Sequence, residues 1–304
     1  MVQKTFFGGT KAFCLFNERI AAVITDIGGK LISLKLDGNE ILAQGKNEKE
    51  VLRTELGGSY LEQALRGMDD MIPNINDGYI TNGPWKGVPL YDHGEVWPLR
   101  WRLSQEGECI AAQVTGIHMP FHVKKIFMLN DDSLEISYEL SNPTEYNMPC
   151  AWAAHTLIIA DAETRICLPD EYRQIRATLD LNSRLGGYGA LHTWPKTIDR
   201  DGNKYALDRL DPKNGSCEKF YFTNSAKNGK VGIKNSDFDI CYSSDREMYL
   251  GIWINSGGLA DEWHIGIEPA TAPMDSPTDA KQWGFGAELA PYETRTWNVV
   301  FQIK

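Results

Sequence analysis

No Cys-x-x-Cys pair occurs among the six cysteines, Cys14, Cys109, Cys150, Cys167, Cys217 and Cys241. Scattered in this way, they are expected as reduced, mostly buried thiols rather than a zinc site or a redox pair. No apolar run approaches the ~20 residues that a bilayer crossing needs. The opening residues lack the apolar segment and cleavage site of a signal peptide, so a cytoplasmic location without membrane attachment is expected. Basic residues are too few for general nucleic-acid binding, since the formal charge is −10. Neither a Gly-x-Ser-x-Gly elbow nor a phosphate-cradling P-loop motif is present. Repeats, low-complexity tracts and linkers are also missing.

What the sequence does have is period-two hydrophobicity. Leu134, Ile136, Tyr138 and Leu140 alternate with Glu135, Ser137 and Glu139. The run His122 to Leu129 meets this one across the turn-forming Asn130 to Ser133, which predicts a hairpin. Ile32, Leu34 and Leu36 alternate before an Asp37-Gly38-Asn39 turn, and Trp297, Val299, Phe301 and Ile303 predict a terminal strand tied into a sheet. Helical signals are short. Ser59-x-x-Glu62 predicts a helix over Tyr60 to Arg66, and Ser276 with Pro277 and Asp279 predicts a second. The 304 residues therefore read as one all-β domain (1–304), a large antiparallel sandwich of two packed sheets with a few short helices.

Polar groups gather in four places. Leu250 to Asn255 reads as a half-buried strand, and His264 to Glu268 as a second strand that prolines stop at about Glu268. A carboxylate fixed at the end of a buried strand suits a general base, or it faces water. Met68-Asp69-Asp70-Met71-Ile72-Pro73-Asn74 and Tyr91-Asp92-His93-Gly94-Glu95-Val96-Trp97-Pro98 set charges among aromatics and prolines. Trp97 and Trp101 near His93 fit either a core or a surface that stacks sugar rings. His155 interrupts the otherwise apolar run Cys150 to Ile159 with no acid near it in sequence, which on the residues alone reads as a core histidine bonded to backbone. His118-x-x-x-His122 does not read as a metal site: strand residues four apart lie roughly 13 Å from each other, too far to share an ion.

Taken in order, these stretches resemble the aldose 1-epimerase (galactose mutarotase-like) family. Ile24 to Leu34 with Gly38 to Leu42 is similar to its opening hairpin, and Asp92-His93-Gly94-Glu95-Val96-Trp97 to the first histidine motif of the subgroup carrying Asp-His-Gly-Glu. Ala154-His155-Thr156 sits where the second histidine falls, and Gly266 to Pro277 resembles the segment bearing the catalytic glutamate. The resemblance spans residues ~20 to ~303. It implies a β-supersandwich that interconverts the α and β anomers of an aldose. Glu268 would take the anomeric proton, His155 would protonate the ring oxygen, and His93 would bind substrate. Two proton transfers suffice, so neither a metal nor an organic cofactor is implied.

The sugar would be the small-molecule partner, and monomer and homodimer are both compatible. Asp70, Asp92 and Arg66 are further candidates for sugar contacts. Many members carry an aspartate between the second histidine and the glutamate, where this sequence has Lys219. That lysine is read either as a contact to a hydroxyl or acidic substituent, or as a solvated surface charge. Competing readings are a glycoside hydrolase pairing Glu268 with Asp92 or Asp70, and a non-catalytic sugar-binding or sensing protein of the same fold.

Overall fold

The computed structural model describes residues 1–45, 54–63, 65–234 and 236–304. Among these, strand accounts for 52% of the chain and helix for 3%, which makes the protein all-β. Two layers are joined by one strand. The 19-residue strand Phe238–Ser256 pairs through its first half with Ala226–Lys234 and Thr294–Ile303, and through its second half with Ser216–Phe222 and Trp263–Ala270.

The predicted hairpin forms as His122–Leu129 and Ser133–Ser141, with His122 opposite Ser141. The terminal strand Thr294–Ile303 runs beside Ser133–Ser141, and Trp297, Val299, Phe301 and Ile303 are buried. Alternation sends their side chains between the layers, where Tyr138, Trp152 and Trp297 pack ring against ring.

In the site-bearing layer Met68–Met71, Ala153–Ile159, Trp263–Ala270, the end of Phe238–Ser256, Ser216–Phe222 and Gln174–Asp180 lie side by side. These strands do not show the half-burial predicted for Leu250 to Asn255, because all six of those residues are buried. One face meets the core; connecting segments cover the other, so polar side chains on that face are enclosed rather than hydrated.

Two boundaries differ from expectation. The strand bearing Glu268 continues through Pro269 to Ala270. Toward Ala153–Ile159 its register partners are Ala153 with Ala270 and then Thr156 with Ile267, which leaves Pro269 where it need not donate. The first helix spans Tyr60–Gln63 and does not extend over Leu65 and Arg66; Ala64 lies outside the described residues. The second forms as predicted over Pro277–Gln282, with Ser276 Oγ accepting from the Asp279 amide. All six thiols are free, but against the expectation of mostly buried thiols only Cys150 and Cys217 are buried, while Cys14, Cys109 and Cys241 are half-buried and Cys167 is exposed. No helix among the described residues is long and apolar enough to cross a membrane.

Candidate active site

Register decides which side chains meet. Asp69 lies opposite His155, and the ladder that sets Thr156 against Ile267 brings His155 abreast of Glu268. Glu268 in turn faces Gly251, and Gly251 faces Tyr221. The next row on the same face holds Leu157, Gly266, Trp253 and Lys219. Glu268 thus stands between two glycines. A Cβ at Gly266 would lie 3.1 Å from Glu268 Oε1, and one at Gly251 3.0 Å from the Tyr221 ring, so the two glycines let the carboxylate and that ring lie close over the sheet.

Glu268 borders a cavity of about 110 Å³. Tyr60, His93, His155, Lys219, Trp253, Glu268 and Asp275 are in its wall, with Asn76 and Thr178. Grooves of about 470 and 710 Å³ elsewhere do not bring a histidine and a carboxylate together.

His155 and Glu268 are both buried, and His155 Nε2 is 3.8 Å from Glu268 Oε1. Glu268 Oε1 accepts no hydrogen bond among the described residues. Two groups so close, yet not bonded to each other, can each reach one of the two oxygens on a single carbon placed before them. Burial pushes the His155 imidazole well below its ordinary range, with the His93, Lys219 and Lys30 charges adding to it, so the ring is neutral near pH 7. Burial pushes Glu268 up, while Lys219 Nζ at 2.8 Å from Oε2 pulls it back. Lys219 itself is desolvated, but Asp275 (3.2 Å) and Glu268 outweigh that and hold its ammonium well above the ordinary lysine range.

His93 is set by its loop. It stacks flat on Tyr60 at 3.8 Å between centroids, and its Nδ1 meets Asp92 Oδ1 at 2.7 Å. The loop can turn here because Gly94 has φ +78°, and a Cβ at that position would come within 2.1 Å of Ile72 O. Burial raises the Asp92 carboxyl, but His93 and the Tyr60 amide overcome this and hold it below the usual range. Asp92 is thus placed behind His93 and orients it, and Trp97, whose Nε1 donates to Asp92 O, closes the back of the loop. Glu95 is buried and accepts from the Ile117 and His118 amides and faces His118 Nδ1, so it braces a neighbouring loop. His118 and His122 go to different partners, Glu95 and Thr115.

Of the residues singled out in the sequence, the structure brings Glu268, His155, His93 and Lys219 together, with Asp92 behind. It does not bring Asp70 or Arg66 to the cavity wall. Adjacent strand residues point to opposite faces, so Asp69 takes the site side and Asp70 the core side. There Asp70 meets Lys125 Nζ at 2.7 Å and accepts from Trp152 Nε1 at 2.8 Å. It therefore can neither contact a sugar in this cavity nor pair with Glu268. Arg66 is buried beside Gly45, and its carbonyl accepts from Lys30. Lys219 is 6% exposed, which removes the reading as a solvated surface charge.

Sequence reasoning missed Tyr60, Asp69, Trp253 and Asp275. Strand alternation carried a signal for two of them: Gly251 and Trp253 share a face against Leu250, Ile252 and Ile254, and Asp69 opposes Asp70. Tyr60 read only as the start of a helix, and Asp275 as part of a stiff loop.

The lysine's position yields a pH prediction. A neighbouring cation favours the carboxylate, so its removal in Lys219→Met lets burial raise Glu268 further. Activity that needs ionised Glu268 should then have its acidic limb moved up by about 1–3 pH units, recovering at alkaline pH. An acidic limb unmoved in the kcat/KM profile would show that Glu268 is not the group titrating there.

No protein-family model matches the chain, and no curated protein matches it by sequence. Solved structures do. A galactose mutarotase-like protein from Clostridium acetobutylicum superposes with a TM-score of 0.66 at 15% identity, over 100% of this chain and 98% of that one. The galactose mutarotase related enzyme from Lactobacillus acidophilus gives 0.63 at 12%, over 96% and 97%. A galactose mutarotase-like protein from Lactobacillus casei gives 0.61 at 15%, over 96% and 100%. Likeness along the full length of several such structures, at these identities, establishes architecture: the chain has the galactose mutarotase-like β-sandwich fold.

Proposed function

We propose that the protein is an aldose 1-epimerase. The observation that carries this reading is the pair His155 Nε2 and Glu268 Oε1, buried, 3.8 Å apart and open to the same cavity. With the anomeric carbon before them, Glu268 removes the proton from the anomeric hydroxyl while His155 Nε2–H protonates the ring oxygen. The C1–O5 bond opens to the aldehyde, C1 turns about the C1–C2 bond, and the ring recloses on the other face with the proton transfers reversed. His93, fixed by Asp92 and Tyr60, offers its ring to the sugar, and Trp253 supplies an aromatic wall.

The charge balance supports an uncharged sugar. Among the described residues lining the cavity, Lys219 is the sole lysine or arginine, and it is already held by two carboxylates. A phosphate or carboxylate on the substrate would compete with Glu268 and Asp275 for it, and like charges placed close together disfavour binding. Polarimetry on freshly dissolved sugars should therefore show faster mutarotation for neutral aldoses than for their 6-phosphate or uronic acid counterparts. Equal or better turnover of the anionic forms would refute the neutral-substrate assignment. A protein that binds sugar tightly without speeding any mutarotation would be a binding module instead.

A further inference from the structure

Behind His155 lies a chain of buried groups that the two-residue mechanism does not use. Tyr60 Oη is 2.6 Å from His155 Nδ1 and 2.8 Å from Asp69 Oδ1, and Asp69 Oδ2 is 2.9 Å from Lys30 Nζ. Tyr60, Asp69 and Lys30 are at most 3% exposed. Across the cavity, Glu268 repeats the pattern, with Oε2 on Lys219 and Oε1 facing the imidazole. Each side of the cavity thus holds a carboxyl group with a lysine on its outer oxygen.

The geometry points to Tyr60 and Asp69 as a proton relay that lets a neutral His155 serve as both acid and base; this inference rests on the epimerase reading above. Two hydrogen bonds link Asp69 Oδ1, Tyr60 Oη and His155 Nδ1, so two hydrogens must lie along that line, and the phenol supplies only one. In one state the second is on Asp69: the carboxyl donates to Tyr60, Tyr60 donates to Nδ1, and the imidazole keeps its hydrogen on Nε2, toward the cavity. In the other, Asp69 is a carboxylate beside Lys30, Tyr60 donates to it, Nδ1 carries the hydrogen, and Nε2 is bare.

Passing from the first state to the second releases one proton at Nε2. The Nε2–H bond breaks as the sugar's O5–H bond forms. Nδ1–H forms from the Tyr60 hydrogen, and Tyr60 O–H is remade with the Asp69 proton. Meanwhile Glu268 gains the anomeric proton, so one negative charge moves from Glu268 to Asp69 and the total is unchanged. Reclosure of the ring runs every step backwards. No imidazolium or imidazolate is formed, which matters where burial disfavours a charged ring. Burial also raises the Asp69 carboxyl above its usual range despite Lys30 and Tyr60, as the first state needs.

Nitrogen-15 NMR of the full chain labelled in histidine, without sugar, should show the His155 hydrogen on Nε2 with Nδ1 accepting. In Asp69→Asn the amide still donates to Tyr60 but releases no proton. That variant should keep the Nε2–H signature while kcat falls at least tenfold with KM little changed. Tyr60→Phe should lose both the signature and a similar share of kcat. In mixed H₂O and D₂O the wild-type rate should curve more strongly with deuterium fraction than that of either variant, because the two relay transfers add to those at Glu268 and His155 Nε2. A His155 hydrogen resting on Nδ1 in the wild type overturns the relay, as does wild-type kcat in Tyr60→Phe. The NMR result needs no turnover, so an inactive wild type would defeat the epimerase reading and still leave the relay to be decided by the ring signature.

Discussion

Glu268→Gln is expected to slow catalysed mutarotation by about 10²–10⁴, the usual worth of a positioned acid or base, while sugar affinity stays near that of the wild type. The amide keeps the shape of the side chain and can still meet Lys219 through its oxygen. What it cannot do is accept the anomeric proton. His155→Asn should cost a similar factor. Combined, the two changes should cost far less than the product of their separate effects, because either loss already disables the acid–base pair. Calorimetry for affinity beside polarimetry for rate separates these outcomes from simple loss of binding. Normal turnover by Glu268→Gln would mean that the base lies elsewhere, and Asp275, on the other side of Lys219, would be the next carboxylate to test.

Asp70→Asn is expected to behave in the opposite way. Asp70 and Lys125 are both buried, in contact at 2.7 Å, and face the core rather than the cavity. Removing one member of a buried ion pair leaves the other uncompensated, at a cost of about 3–5 kcal/mol in stability. The denaturant midpoint should drop accordingly, while KM and kcat per folded molecule stay close to wild type. A variant of unchanged stability but raised KM would return Asp70 to the role of sugar ligand.

The contrast between Asp69 and Asp70 marks where sequence reasoning reaches its limit. Alternation in Ser133–Ser141 and Thr294–Ile303 is plain because one face of each strand meets water or a polar edge. In the central site-bearing strands both faces are enclosed, so apolar and polar residues mix: Ser216–Phe222 is buried at all seven positions. A strand there can be recognised, but which of two neighbouring aspartates faces the cavity depends on register with strands distant in the chain.

Glu268, His155 and His93 stand out locally, by a strand running into prolines, a lone histidine in an apolar run and a glycine turn. Those settings leave Glu268 open to water and His155 as a core histidine, and the roles expected of all three come only from the family resemblance. Tyr60 carries no such mark. It reaches His155 only because the short helix Tyr60–Gln63 is laid over the sheet, a contact spanning 95 residues of sequence. Pro269 misled in the other direction. Its lack of an N–H predicted a strand end, yet the ladder continues past it because the adjacent positions require no bond from it.

The central claim is that His155 and Glu268 act on the two oxygens of one anomeric carbon. Exchange spectroscopy by proton NMR on a neutral aldose at anomeric equilibrium tests it most directly, since cross-peaks between the α and β anomeric protons report interconversion alone. Added wild-type protein should raise the exchange rate in proportion to its concentration, and Glu268→Gln at the same concentration should leave it near the uncatalysed value while still broadening the sugar signals by binding. Wild-type protein that broadens those signals without creating exchange between them would contradict the account.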